Sequence, residues 1–157
     1  MVAVQVAPDL AFRLFTEEID RWWRRGPLYR HLGGAASTLH IEPGPGGRVF
    51  ERASEDAAAP LFEVGRIGVW EPPRRFVFSW RNANFAAGEQ TEVEVCFEPV
   101  ADGTSVTVTH RGWAVLAPDH PARHGLQGAA FARMQGMWWA DQLRALREFA
   151  AARSGVP

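Results

Sequence analysis

The sequence contains no lysine, so all 17 of its basic residues are arginine. That absence removes every mechanism built on a lysine amine: Schiff-base chemistry, pyridoxal-phosphate anchoring and the P-loop lysine. Cysteine occurs once, as Cys96, which excludes an internal disulfide and any multi-thiolate zinc or iron–sulfur site. A reducing compartment fits that usage. No stretch approaches ~18 apolar residues, and Met1-Val2-Ala3-Val4-Gln5-Val6 has neither the basic region nor the long apolar run of a secretory leader. Charge of one sign is also lacking: 17 basic residues against 18 acidic ones give a net charge of −1, mixed along the chain. Without a basic excess there is nothing to neutralise nucleic-acid phosphates or an anionic membrane. These absences together lead us to expect a cytoplasmic protein with neither nucleic acid nor membrane as its partner.

What is present is a chain of 157 residues with 46% hydrophobic and 22% charged residues, ordinary values for a globular protein. The length predicts one domain, residues 1–157, with a core of its own. Val2 to Ala7 reads as a strand. Pro8-Asp9 then opens a helix through Phe15 with Leu10 and Leu14 inward, since proline suits the first helical position. Glu17 to Gly34, with Trp22, Trp23, Tyr29 and His31 among arginines, reads as a second short helix or irregular cover.

From Ser37 the period becomes two. Leu39 and Ile41 alternate with polar neighbours, and Pro43-Gly44-Pro45-Gly46-Gly47 turns the chain into Arg48–Arg52. Leu61 to Glu71 and Phe76 to Trp80 follow, separated by Pro72-Pro73. Thr91 to Glu98 and Thr104 to Arg111 place Val93, Val95 and Phe97, then Val106, Val108 and His110, on one face. Such alternation predicts an antiparallel sheet with one wet face. From about His124 to Arg153 there is no proline, and Ser154-Gly155 supplies a stop, so one long helix is predicted. Trp139, Leu143, Leu146 and Ala150 share a stripe, whose backward extension runs through Gly136, Gln135, Ala132 and Gly128. Small residues on a buried stripe predict unfilled space beneath the N-terminal half of the helix.

Several segments carry a family likeness. Pro43-Gly44-Pro45-Gly46-Gly47-Arg48, the run from Gly65-Arg66-Ile67 through Trp70-Glu71-Pro72-Pro73 to Trp80, Thr91-Glu92-Val93, Gly103-Thr104, and His110-Arg111-Gly112-Trp113 resemble the SRPBCC (START-related) superfamily. Within it they are similar to homologues of the activator of the ninety-kilodalton heat-shock protein ATPase. The resemblance spans nearly the whole chain and implies the α+β helix-grip fold, a curved antiparallel β-sheet of about seven strands around a long C-terminal helix with short helices after the first strand. It implies a cavity between sheet and helix. The eukaryotic co-chaperone of that name carries a further N-terminal domain for much of its chaperone contact, so that contact is not what we expect of this chain.

Candidate chemistry is sparse. His110 ends an inward row near Trp113, where it either orients a ligand or moves a proton, or is a histidine satisfied by the protein itself. His120 and His124 have helical i, i+4 spacing, but Pro121 lies between them, and no metal or cofactor site is expected. No Gly-x-Ser-x-Gly elbow occurs and Cys96 alternates with inward residues, so covalent catalysis has no nucleophile. Trp80, Phe78, Phe97, Met134, Trp138 and Trp139 could line an apolar pocket or fill the core. Gln135, among small residues, is the polar candidate, its amide meeting a ligand, water or backbone, or else bonded to a strand side chain. Arg66 faces the cavity if its strand is regular and faces out if Gly65 or Gly68 forms a bulge; Glu51, beside Phe50, has the same ambiguity, and a pairing with His110 is one option.

The expected ligand-binding set is therefore Trp80, Phe78, Phe97, His110, Trp113, Gln135, Trp139 and Arg66, taking a small hydrophobic or aromatic ligand with no assigned reaction. A cyclase- or hydrolase-like enzyme and a co-chaperone-type interaction module are the rival readings. A homodimer is compatible with the aromatic content.

Overall fold

The computed structural model describes residues 1–32 and 36–153. Seven strands form one antiparallel sheet: β1 (Val2–Val4), β2 (Thr38–Ile41), β3 (Arg48–Arg52), β4 (Leu61–Glu71), β5 (Arg75–Trp80), β6 (Thr91–Val100) and β7 (Gly103–Arg111). Their order is β1-β7-β6-β5-β4-β3-β2, so the chain runs from hairpin to hairpin and β1 closes beside the last strand. Two short helices, α1 (Pro8–Thr16) and α2 (Ile19–Trp22), follow β1, and the long α3 (Gly128–Arg153) ends the described chain. This is the helix-grip arrangement. The helical start predicted at His124 comes later, because His124 is left-handed (φ 51°) at the end of a single 3-10 turn. The Ser154-Gly155 stop and the Gly34 end of the cover lie outside the described residues.

Alternation decides which face is buried. Val93, Val95, Phe97 and Val106 point to the concave side and are almost inaccessible, as are Phe76 and Phe78 on the neighbouring strand. α1 lays Phe12 and Phe15 across them, with Phe12 at 5.1 Å from Phe97 and 5.6 Å from Phe76 between ring centroids. The Phe12–Phe76 pair meets edge-on, a geometry that adds to the area it buries. On the convex side, Glu92, Glu94 and Arg111 with Arg75 and Glu71 form an ionic ladder across four strands, β4 to β7.

β4 breaks its own alternation twice. Val49 pairs with Gly65 and Phe50 with Glu63, and Ile67 pairs with Phe78 but Val69 with Val77, so Val64 and Gly68 are extra residues. Bulges of this type re-aim the strand. Between them Arg66 turns outward and bonds Glu63, while Val64 and Ile67 both stay in the core. Arg66 therefore does not reach the cavity, and the regular-strand expectation for it is corrected. At Gly65 the backbone passes so close to Ser79 that a Cβ would stand 1.6 Å from its carbonyl oxygen, which leaves glycine as the residue the site accepts.

The C-terminal half of α3 seals the sheet through Trp139, Leu143, Leu146 and Ala150, packing on β1, α1 and α2. Its N-terminal half does not continue that stripe. Gly128, Ala132 and Gly136 are exposed, and the inward side there carries Phe131, Gln135 and Trp138, about a quarter turn round the helix. The reason is the partner: this half meets the loop after β7, through Phe131 on Trp113, and the cover after α2, through Trp138 on Trp23 and Tyr29. The buried small-residue stripe is thus overturned, although a hollow does lie beside this part of the helix.

Candidate functional site

The hollow, about 370 Å³, opens between the cover segment 27–31, the chain leaving β5 at Asn82–Asn84, the end of β7 at His110, the loop after it, and Met134, Gln135 and Trp138 of α3. Its size is at the low end for small-molecule sites. Trp80, Trp113 and Trp138 supply its aromatic walls. A second hollow of about 560 Å³ beside the Val100–Asp102 turn and the outer side of α3 has no aromatic lining.

The cover is held by a buried arginine. Trp23 packs inward, and Arg30, whose side chain is inaccessible, donates to Asp20 Oδ1 at 2.6 Å and to the carbonyls of Ser37, Trp23, Asp20 and Arg24 at 2.8–3.3 Å. A guanidinium survives burial only with this kind of complete satisfaction. Arg24 ties the same segment to α3, donating its backbone N–H to Gln142 Oε1 at 3.0 Å and its Nε–H to the Asp141 carbonyl at 2.8 Å. Trp138 closes the contact by donating its indole N–H to the Leu28 carbonyl at 2.9 Å. Arg30 thus builds a wall of the site without presenting a charge to it.

His31 follows directly and lines the hollow. Its Nδ1 lies 3.1 Å from Glu51 Oε1, the same oxygen accepts the His31 backbone N–H at 2.8 Å, and Oε2 accepts the Leu32 N–H at 2.9 Å. Burial pushes the Glu51 carboxyl up, but the His31 ring and the two backbone donors outweigh it and leave the group below its ordinary value. Glu51 therefore faces inward, and its partner is His31 instead of His110. On the other side of the ring, Nε2 is 3.3 Å from Asn82 Oδ1, which also accepts the Trp80 indole N–H at 2.8 Å.

His110 sits deeper. Trp139 donates its indole N–H to Nδ1 at 3.2 Å, so that nitrogen is an acceptor; Nε2 then carries the proton and donates to Thr91 Oγ1 at 2.7 Å, whose own hydrogen goes to the Trp80 carbonyl at 3.2 Å. Burial pushes its pKa down to about 3, which keeps the ring neutral. Both nitrogens are engaged within the protein. What His110 shows the hollow is a ring tilted against Trp113, with centroids 4.5 Å apart.

Of the eight expected residues, the structure brings Trp80, His110, Trp113 and Gln135 to the lining. Trp139 stands behind His110. Phe78 and Phe97 are core residues and do not line the hollow: α1 packs Phe12 and Phe15 on Phe97, and Phe78 lies between Phe76 and Trp80. Arg66 is on the outer face. Sequence reasoning missed Tyr29, Arg30, His31 and Asn82; the one signal was Glu51, a carboxylate in a half-buried strand that needed a partner. Among the described residues, no three His, Cys, Asp or Glu side chains stand close enough to hold a metal, and no helix is long and apolar enough to cross a membrane.

The family profile described as Activator of Hsp90 ATPase homolog 1-like protein matches residues 5–137. Among solved structures, a protein from Mesorhizobium loti superposes with a TM-score of 0.64 at 15% identity, over 99% of this chain and 96% of that one. One from Nitrosomonas europaea gives 0.62 at 15%, over 99% and 94%. An HSP90 activator from Plasmodium falciparum gives 0.58 at 16%, over 94% and 90%. At these identities the structural likenesses bear on the fold alone. No curated protein matches the sequence.

Proposed function

The chain belongs to the Activator of Hsp90 ATPase homolog 1-like family, and on that premise we propose that it is a receptor for a small hydrophobic or aromatic molecule, held in the hollow beside α3 without being chemically changed. One observation carries this reading: three tryptophans wall the hollow while its ionisable side chains Arg30, His31 and His110 are engaged inside the protein, and His124 stands exposed at its rim. Such a surface offers apolar area and a few amides, which is the composition of a binding pocket. An aromatic guest burying on the order of 200 Å² at ~25 cal/mol per Å² would gain roughly 5 kcal/mol before the cost of association.

His110 is not assigned an acid–base role, since neither ring nitrogen is free for a substrate. A cytoplasmic location and a small-molecule partner remain part of the proposal. Its test is titration of the protein with naphthalene-sized aromatic probes. Binding should raise the melting temperature with probe concentration by mass action, and Gln135→Trp, which fills the hollow, should abolish the effect while the protein stays folded. A melting temperature unmoved by every probe, or binding undiminished in Gln135→Trp, overturns the reading.

A further inference from the structure

We propose that the hollow selects an uncharged aromatic molecule carrying a hydrogen-bond acceptor, a carbonyl oxygen being the simplest, and that the Asn82 side-chain amide donates to it. The inference rests on the receptor reading above and names the ligand class.

The contacts of Asn82 fix the orientation of its amide. An amide's oxygen and nitrogen are told apart by their partners. The Trp80 indole N–H can only donate, and it points at one end of the Asn82 amide at 2.8 Å. That end is therefore the oxygen. His31 Nε2, 3.3 Å away, reaches the same oxygen, which it can bond only as the donor. The NH2 group of Asn82 is left at the other end, and among the described residues it has no hydrogen-bond partner. Asn82 thus faces a ligand as a donor alone.

A charged guest must exchange water for a counter-charge or be penalised for desolvation. Arg30 is consumed by Asp20 and backbone carbonyls, and the Glu51 carboxylate is taken up by the His31 ring and two backbone N–H groups. The Tyr29 hydroxyl donates to Asp141. His110 is held by Trp139 and Thr91, and among the described ionisable residues of the lining only His124, exposed at the rim, stands outside such contacts. The interior therefore offers no free ion for a carboxylate or an ammonium. On the helix side Gln135, whose amide is likewise unpartnered among the described residues, can meet a second polar group of either kind.

Three matched probes test this on the full chain by calorimetry: 2-acetylnaphthalene, 2-ethylnaphthalene and 2-naphthoate. The acetyl compound should bind roughly tenfold tighter than the ethyl compound, the fold-change of one ordinary hydrogen bond, and tighter than the carboxylate. Asn82→Asp keeps an oxygen for Trp80 and removes the donor, and should erase the acetyl preference while ethyl binding persists. Asn82→Ala should do the same if the aspartate variant fails to fold. Equal affinity for acetyl and ethyl probes, tighter binding of the carboxylate, or an acetyl preference that survives in the variants overturns this inference and leaves the receptor reading standing. Binding of none of the three overturns both.

Discussion

Trp139 donates its indole N–H to Nδ1 of His110, 3.2 Å away, across the boundary between α3 and the sheet. A protonated imidazole has no acceptor nitrogen, so this bond exists only while His110 is neutral. Burial keeps the ring neutral, with its pKa pushed down to about 3 from 6.5.

The consequence for stability has a definite sign. Between pH 6.5 and about 3 the unfolded chain holds a proton on this histidine that the folded protein lacks, so stability falls as pH drops below 6.5, by at most ~1.4 kcal/mol per pH unit. His40, also pushed down by burial, acts in the same direction. Urea unfolding at pH 7 and pH 5 should show wild-type protein losing about 2 kcal/mol more than His110→Gln, whose side chain does not titrate. The His110 ring signals in NMR should stay constant from pH 8 to pH 5. A midpoint near 6.5 in those signals contradicts the neutral, bonded ring.

Glu51 should tolerate replacement poorly. Its two oxygens accept three donors in a buried site, and Glu51→Gln would turn an NH2 group toward one of them. We expect a loss of about 2–4 kcal/mol in denaturant unfolding, the range for breaking one side of a buried charged pair. Glu51→Ala should be at least as costly. A loss below about 0.5 kcal/mol for both would show that the pair does not hold the cover to β3.

Arg30 makes a sharper case. Lysine would keep the charge but supply a single ammonium where a planar fork now meets carbonyls of Ser37, Trp23, Asp20 and Arg24 as well as the Asp20 carboxylate. Arg30→Lys should lower stability by roughly 3 kcal/mol. It should also weaken probe binding in the hollow, since residues 27–31 form one wall. Unchanged affinity in a folded Arg30→Lys variant would mean that the wall does not depend on this anchor.

How far the sequence can be read follows from the range of the forces involved. The concave rows of β6 and β7 were legible because alternation is local, and Val93, Val95, Phe97 and Val106 obey it. Arg66 was not, because its direction depends on bulges at Val64 and Gly68 that pairing with β3 and β5 decides. Glu51 and His31 are 20 residues apart, and His31 and Asn82 are 51 apart. Nothing in their spacing announces a chain of contacts that only folding assembles. The α3 stripe held where the helix meets β1 and the first helices, and failed where loops replace them, since a helix buries whichever side its neighbours cover.

Two glycines put that last point to a test. Gly136 lies on the exposed side of α3, with open space where a Cβ would go. Alanine there should stabilise the protein by about 0.5–1 kcal/mol through helix propensity, with probe affinity unchanged. If the small-residue stripe instead faced the hollow, Gly136→Ala would intrude on the ligand and weaken binding. Gly65 gives the opposite expectation. Its Cβ would stand 1.6 Å from the Ser79 carbonyl oxygen and 2.9 Å from its Oγ, so alanine must push β4 away from β5 at the bulge that turns Arg66 outward. Gly65→Ala should cost more than about 3 kcal/mol or prevent folding. A stable Gly65→Ala with wild-type melting would show that the two strands are not held as closely as the bulge requires.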